Sequence, residues 1–155
     1  MKKLILVLLF VMTACSNTNK SANYFFIKGL NEYQKGDKVS ALENYKKAYN
    51  LDKSNIKIIR ELGFLYADLG NLSKAKEYYN EALLMRAYDE NSIESLLEIA
   101  YIENDYEAVK KYSEQILDKN SLLYNNSQLK MALHNKNYER AKYYYQKILK
   151  IENKK

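Results

Sequence analysis

Residues 56–91 read IKIIRELGFLYADLGNLSKAKEYYNEALLMRAYDEN. Ile59, Leu62, Gly63, Tyr66 and Leu69 recur at spacings of three and four, the stripe of one helix face. A break follows at Gly70-Asn71, after which Ala75, Tyr79, Ala82 and Leu83 mark the face of a second helix. Asn71 stands where that helix needs an N-cap, since its side-chain oxygen can accept from a free backbone N–H. Gly70 suits the left-handed residue that closes the first helix. The stretch therefore predicts a helix pair.

The same pair is written once before it. The chain holds four glycines, at 29, 36, 63 and 70, and each of the first two lies 34 residues before its counterpart. Phe25 and Ile59, Ala41 and Ala75, Tyr45 and Tyr79, and Ala48 and Ala82 keep the same offset, and Asp37 stands where Asn71 does. A fixed period of this size is the mark of stacked supersecondary units. Glycine inside a helix costs about 1 kcal/mol against alanine. Gly29 and Gly63, with the small Ala41 and Ala75, thus point to a close approach of the two helices.

These residues resemble the tetratricopeptide repeat. Its pattern of Leu-Gly, Tyr, Gly, Ala, an aromatic and Ala is met at Leu62-Gly63, Tyr66, Gly70, Ala75, Tyr79 and Ala82. The preceding unit meets it at Phe25, Gly29, Gly36, Ala41, Tyr45 and Ala48, and departs with Lys28 and Glu32 where Leu and Tyr are usual. The chain has no proline to close a unit, so the unit ends rest on polar residues such as Asp52-Lys53-Ser54-Asn55. Two weaker units follow. Ala108 and Tyr112 hold the small and aromatic positions of the third, whose first helix uses Ile93, Leu96, Leu97, Ala100 and Tyr101. Ala141, Tyr145 and Ile148 do so in the fourth, with Leu122, Leu129, Met131 and Leu133 on its first helix. The resemblance implies an all-α fold, a right-handed α-solenoid of four helix pairs in units 22–55, 56–88, 89–120 and 121–153 of one domain, 22–155. Most of the 16 tyrosines fall on helix faces as packing residues. Tyr143-Tyr144-Tyr145 cannot all face one way, so at least one points outward.

The chain opens MKKLILVLLFVMTAC, with a basic pair, an apolar run from Leu4 to Met12, and small residues before Cys15. That order is a secretory signal, too short for a permanent span, which needs about 20 apolar residues. Met12-Thr13-Ala14-Cys15 resembles the lipobox of bacterial lipoproteins, with Met where Leu is usual. The resemblance implies removal of residues 1–14 and a diacylglyceryl group, with a further acyl chain in many bacteria, on Cys15. More than one chain makes such an anchor stable. Residues 15–21 then form a lipidated, polar tether that keeps the domain close to a membrane. In an organism with two membranes, Ser16 in place of Asp after the cysteine resembles export to the outer one. Loss of Lys2 and Lys3 lowers the formal charge from +6 to +4. That mild excess suits an anionic membrane surface and argues poorly for nucleic acid. A single cysteine allows no internal disulfide and no Cys-based zinc site.

Catalytic patterns are scarce. His134 is the one histidine, no serine sits in a nucleophile elbow, and all four glycines belong to helix pairs. Glu94, Glu98 and Glu103 lie near one helix face. Paired carboxylates can work on glycans, but on an amphipathic helix they are more often a solvated face. The reading is therefore no enzyme, no metal and no cofactor beyond the lipid. The repeat resemblance implies a concave groove lined by the first helices. Carried over by position, it offers Phe26, Leu30, Tyr33 and Gln34; then Lys57, Arg60, Phe64 and Asp68; then Glu94, Glu98 and Tyr101; then Lys130 and His134. Such a groove is apolar and aromatic at its start, basic next, then acidic. It lacks the Lys/Asn arrangement by which chaperone-binding members hold a terminal carboxylate. The expected function is a membrane-anchored adaptor for a protein or peptide of the bacterial cell envelope. The alternative is a peptidoglycan-directed enzyme or glycan-binding protein.

Overall fold

The computed structural model describes residues 21–153. The leader 1–14, Cys15 and the tether before Ser21 lie outside them. The described residues form eight helices and no strand: α1 (Ala22–Gln34), α2 (Lys38–Leu51), α3 (Ile56–Asp68), α4 (Leu72–Met85), α5 (Glu90–Ile102), α6 (Tyr106–Gln115), α7 (Leu122–His134) and α8 (Tyr138–Glu152). They pack as the predicted helix pairs. The chain divides into two compact units, with the boundary between Asp52 and Lys53.

Helix starts follow a single rule. Ser21, Asp37, Asn55, Asn71, Asp89, Asp105, Ser121 and Asn137 each stand at an N-cap, and each side chain accepts from a backbone N–H of the first turn. The turns inside the pairs share a second device. Gly36 and Gly70 sit at φ +84° and +78°, and Asn104 and Lys136 repeat that left-handed step at φ +56° and +55°. In each turn the next residue donates its N–H to the carbonyl five residues back: Asp37 to Glu32 O, Asn71 to Tyr66 O, Asp105 to Ala100 O and Asn137 to Ala132 O. The two weaker units therefore keep the turn without keeping the glycine.

In the first unit, Phe26 and Tyr45 stack with ring centroids 5.7 Å apart, and Ala41 and Ala48 are fully buried. In the second, one apolar cluster joins Ala75 and Tyr79 of α4 to Ile93, Leu96, Leu97, Ile99 and Ala100 of α5 and Val109 and Tyr112 of α6. Val109, one residue beyond the expected Ala108, takes the fully buried place.

The last pair departs from the sequence expectation. Its α7 buries Asn125, Ser127 and Ala132, while Leu122, Leu129 and Met131 are half-buried and Leu133 is 50% exposed. Leu129, Met131 and Leu133 alternate, so on a helix they cannot share one face. The buried polar donors of α7 are satisfied, Asn125 Nδ2 by Ser121 O at 2.8 Å and Ser127 Oγ by Tyr124 O at 2.7 Å, while Asn125 Oδ1 is buried without a hydrogen-bond partner among the described residues. In α8 it is Tyr144, not Tyr145, that turns inward with Ala141 and Ile148. Tyr143 and Tyr145 are 54% and 53% exposed.

Candidate functional site

The first helices of successive pairs in the 53–155 unit leave two clefts between them. One, of about 380 Å³, lies between α3 and α5 and is lined by Arg60, Glu61, Phe64, Asn91 and Ser95, with Tyr79 of α4 behind. The other, also of about 380 Å³, lies between α5 and α7 and is lined by Glu94, Leu97, Glu98, Tyr101, Leu123, Asn126, Ser127 and Lys130. Helical periodicity places these walls. Residues 91, 94, 95, 98 and 101 form one stripe of α5, and 123, 126, 127 and 130 form the facing stripe of α7.

In the α5–α7 cleft, Lys130 Nζ lies 4.0 Å from the centroid of the Tyr101 ring, a cation–π contact. Beneath it the Tyr101 hydroxyl is buried with no hydrogen-bond partner among the described residues. Burial, with the Tyr106 hydroxyl adding to it, pushes this phenol up to about 12. Glu94 and Glu98 are exposed on the same α5 stripe as Tyr101, and neither makes an ion pair among the described residues. The third carboxylate of α5, Glu103, lies elsewhere, bound by Lys76 Nζ at 2.7 Å.

In the α3–α5 cleft Phe64 offers an apolar surface, 44% exposed. Burial raises the Glu61 carboxyl above its ordinary value, partly offset by Lys57 and Arg60. The expected basic middle of the groove is corrected here. Arg60 borders the cleft, but its Nη1 lies 3.0 Å and 3.3 Å from the two carboxylate oxygens of Asp89, tying α3 to the start of α5. Burial pushes Asp89 up. The Ser92 hydroxyl at 2.7 Å, the Ser92 N–H and Arg60 together outweigh that and hold it below the usual aspartate value. Arg60 is thus a positioning residue for α5.

Four of the residues read from sequence, Glu94, Glu98, Tyr101 and Lys130, meet in one cleft, and Arg60 and Phe64 meet in its neighbour. The others lie apart. Phe26 is 6% exposed and belongs to the core of its own pair, because its ring stacks on Tyr45; this corrects its expected exposure in a groove. Leu30 and Tyr33 are half-buried on α1 of the first unit, with Gln34 exposed at the end of that helix. Lys57 and Asp68 are exposed near the two ends of α3 and line neither cleft. His134 also departs from expectation. It stacks on Tyr106 with centroids 3.5 Å apart, in a third cleft of about 520 Å³ among α6, α7 and the start of α8. There Gln128 Nε2 donates to Ser113 Oγ at 3.3 Å, and Arg140 Nη2 to Gln128 Oε1 at 3.4 Å. Sequence reading missed Glu61, Asn91, Ser95, Leu123, Asn126 and Ser127. The signal was present: all but Leu123 lie three or four residues from a wall position already named, and Leu123 lies two turns from Lys130. Among the described residues no group of His, Cys, Asp and Glu could hold a metal ion, and no helix is long and apolar enough to cross a membrane.

Residues 61–89 match the family model of the tetratricopeptide repeat. Solved structures extend the likeness beyond that segment. A tetratricopeptide repeat protein of Parabacteroides merdae aligns over 92% of this chain and 56% of its own, with a TM-score of 0.79 and 17% identity. The pilF protein of Pseudomonas aeruginosa aligns over 92% of this chain and 70% of its own, with a TM-score of 0.69 and 15% identity. The first such repeat domain of Spaghetti (RPAP3), solved with the HSP90 peptide SRMEEVD, aligns over 74% of this chain and 92% of its own, with a TM-score of 0.65 and 19% identity. The chain thus spans little more than half of the Parabacteroides merdae protein. No curated protein matches it in sequence. The fold is that of tetratricopeptide repeat proteins, and it is consistent with a protein-binding adaptor.

Proposed function

We propose that this chain is a non-catalytic adaptor, held at a bacterial envelope membrane by lipid on Cys15, which binds a protein or peptide segment across α3, α5 and α7. One observation carries the binding reading. Two neighbouring clefts present an apolar ring (Phe64), two carboxylates (Glu94, Glu98) and an ammonium (Lys130) along successive first helices. The similar repeat domain solved bound to the HSP90 peptide SRMEEVD supports this reading. Anchoring rests on the sequence from Lys2 to Cys15 alone. The outer membrane is the destination where the organism has two.

The test of binding is cross-linking and pull-down from envelope extracts with wild type and Phe64→Ala plus Glu98→Arg. Both positions are exposed, so the fold should survive. Loss of partners in the variant is the expected result; identical partner sets sink the groove. Anchoring is tested separately by membrane fractionation of Cys15→Ser, which should release the chain.

A further inference from the structure

We infer that the α5–α7 cleft selects a basic segment, one that brings lysine or arginine side chains to Glu94 and Glu98. This rests on the groove reading above and adds the charge of the partner. Glu94 and Glu98 stand one helical turn apart on the exposed stripe of α5, so a ligand running along the cleft meets both. Neither is neutralised by the protein. Ion pairs within the 53–155 unit engage carboxylates such as Glu77, Asp89 and Glu103, and among the described residues Glu94 and Glu98 take part in none. The neighbouring cleft adds Glu61, while its one cation, Arg60, is already bound to Asp89. Lys130 is the single cation of the α5–α7 cleft, and it reaches from α7 over the ring of Tyr101, three residues beyond Glu98 on α5. An incoming chain thus meets two carboxylates along α5 and then one ammonium at the Tyr101 end of the same stripe. Basic side chains against α5, with a backbone carbonyl or an acidic group at Lys130, match that order. An acidic ligand such as SRMEEVD would set like charges against Glu94 and Glu98, which is unfavourable.

The test uses the full chain in a non-ionic detergent and short fluorescent alanine-based peptides. These carry two lysines, two glutamines or two glutamates at positions i and i+4. Anisotropy should show the lysine peptide binding about three- to tenfold tighter than the glutamine peptide, and the glutamate peptide weakest. That order should collapse in Glu94→Gln plus Glu98→Gln. It should also shrink at about 1 M salt, where the screening length falls to about 3 Å. Equal binding of all three peptides overturns the inference and leaves the adaptor reading standing. Absence of binding by any of them overturns both. Sedimentation of the chain alone covers the other occupant. Self-association lost in the double variant would make a second copy the ligand and overturn a foreign basic segment.

Discussion

The ring of Tyr45 fills the space beside Gly29: a Cβ built on that glycine would lie 2.5 Å from Tyr45 Cδ1 and 2.6 Å from Cε1. Tyr45 is 1% exposed and has no room to retreat. Gly29→Ala should therefore destabilise the first pair. Overpacking costs about 1–3 kcal/mol, against about 1 kcal/mol regained in helix propensity. At Gly63 the nearest Tyr79 atom would lie at 3.0 Å, so a small shift relieves most of the contact. Gly63→Ala should stay within about 1 kcal/mol of wild type. Urea unfolding followed by circular dichroism reads both, and the order of the two variants is the decisive outcome.

Lys136 holds a left-handed φ of +55° without being glycine. That conformation costs an ordinary residue about 1–2 kcal/mol, less the extra freedom that glycine brings to the unfolded chain. Lys136→Gly should stabilise by about 0.5–1 kcal/mol. Asn104→Gly should gain less, since asparagine tolerates the region better. Gly70→Ala, at φ +78°, should lose about 1 kcal/mol or more. Thermal melts of the three variants check this ranking.

Asp89 joins a helix cap to an ion pair, so its removal should be felt in both. Asp89→Asn keeps a capping oxygen and loses the charge facing Arg60. The expected loss at neutral pH is about 1–3 kcal/mol. Its native carboxyl lies below the ordinary 3.8. The stability it contributes is therefore complete above that unfolded value and vanishes as pH falls through the lower native one. Melting curves of wild type and variant should converge as the pH drops below about 3.9.

Tyr101 carries the opposite sign. Its phenol ionises near 12 in the folded chain, against an ordinary 10.0. Its contribution is full below pH 10.0 and lost as the pH rises towards 12. Tyr101→Phe should flatten that alkaline loss. At neutral pH it should be neutral or stabilising by up to about 1 kcal/mol, since it deletes a buried hydroxyl without a partner. Absorbance titration of tyrosinate, compared between the two proteins, identifies the late-ionising group.

Much of the architecture could be read from the sequence because the repeat is carried by backbone demands. Gly36 and Gly70 meet a positive φ, and Gly29 and Gly63 meet a tyrosine ring. Such needs leave sharp marks. The last pair left blurred ones. Its turn runs through Lys136, its first helix buries Asn125 and Ser127, and three consecutive tyrosines conceal which one is inward. The site was legible as a set of helix positions, so Glu94, Glu98, Tyr101 and Lys130 were found together. What position could not reveal was engagement. Arg60 meets Asp89, which is 29 residues away, and Phe26 is covered by the ring of Tyr45. Both are pairings across helices that no single stripe displays.

In every turn within a helix pair the residue that closes one helix also opens the next. Asp37, Asn71, Asp105 and Asn137 each donate backward to seal the first helix and accept forward to cap the second. An inserted or deleted residue there would break both seals at once, so the elbow has no slack. Each pair behaves as a fixed bracket. In the 53–155 unit, any bending needed to admit a ligand falls to the joints between brackets, residues 86–89 and 116–121. The first of these joints is fastened by Arg60 on Asp89, which makes that ion pair a setting of how widely the α3–α5 cleft stands open.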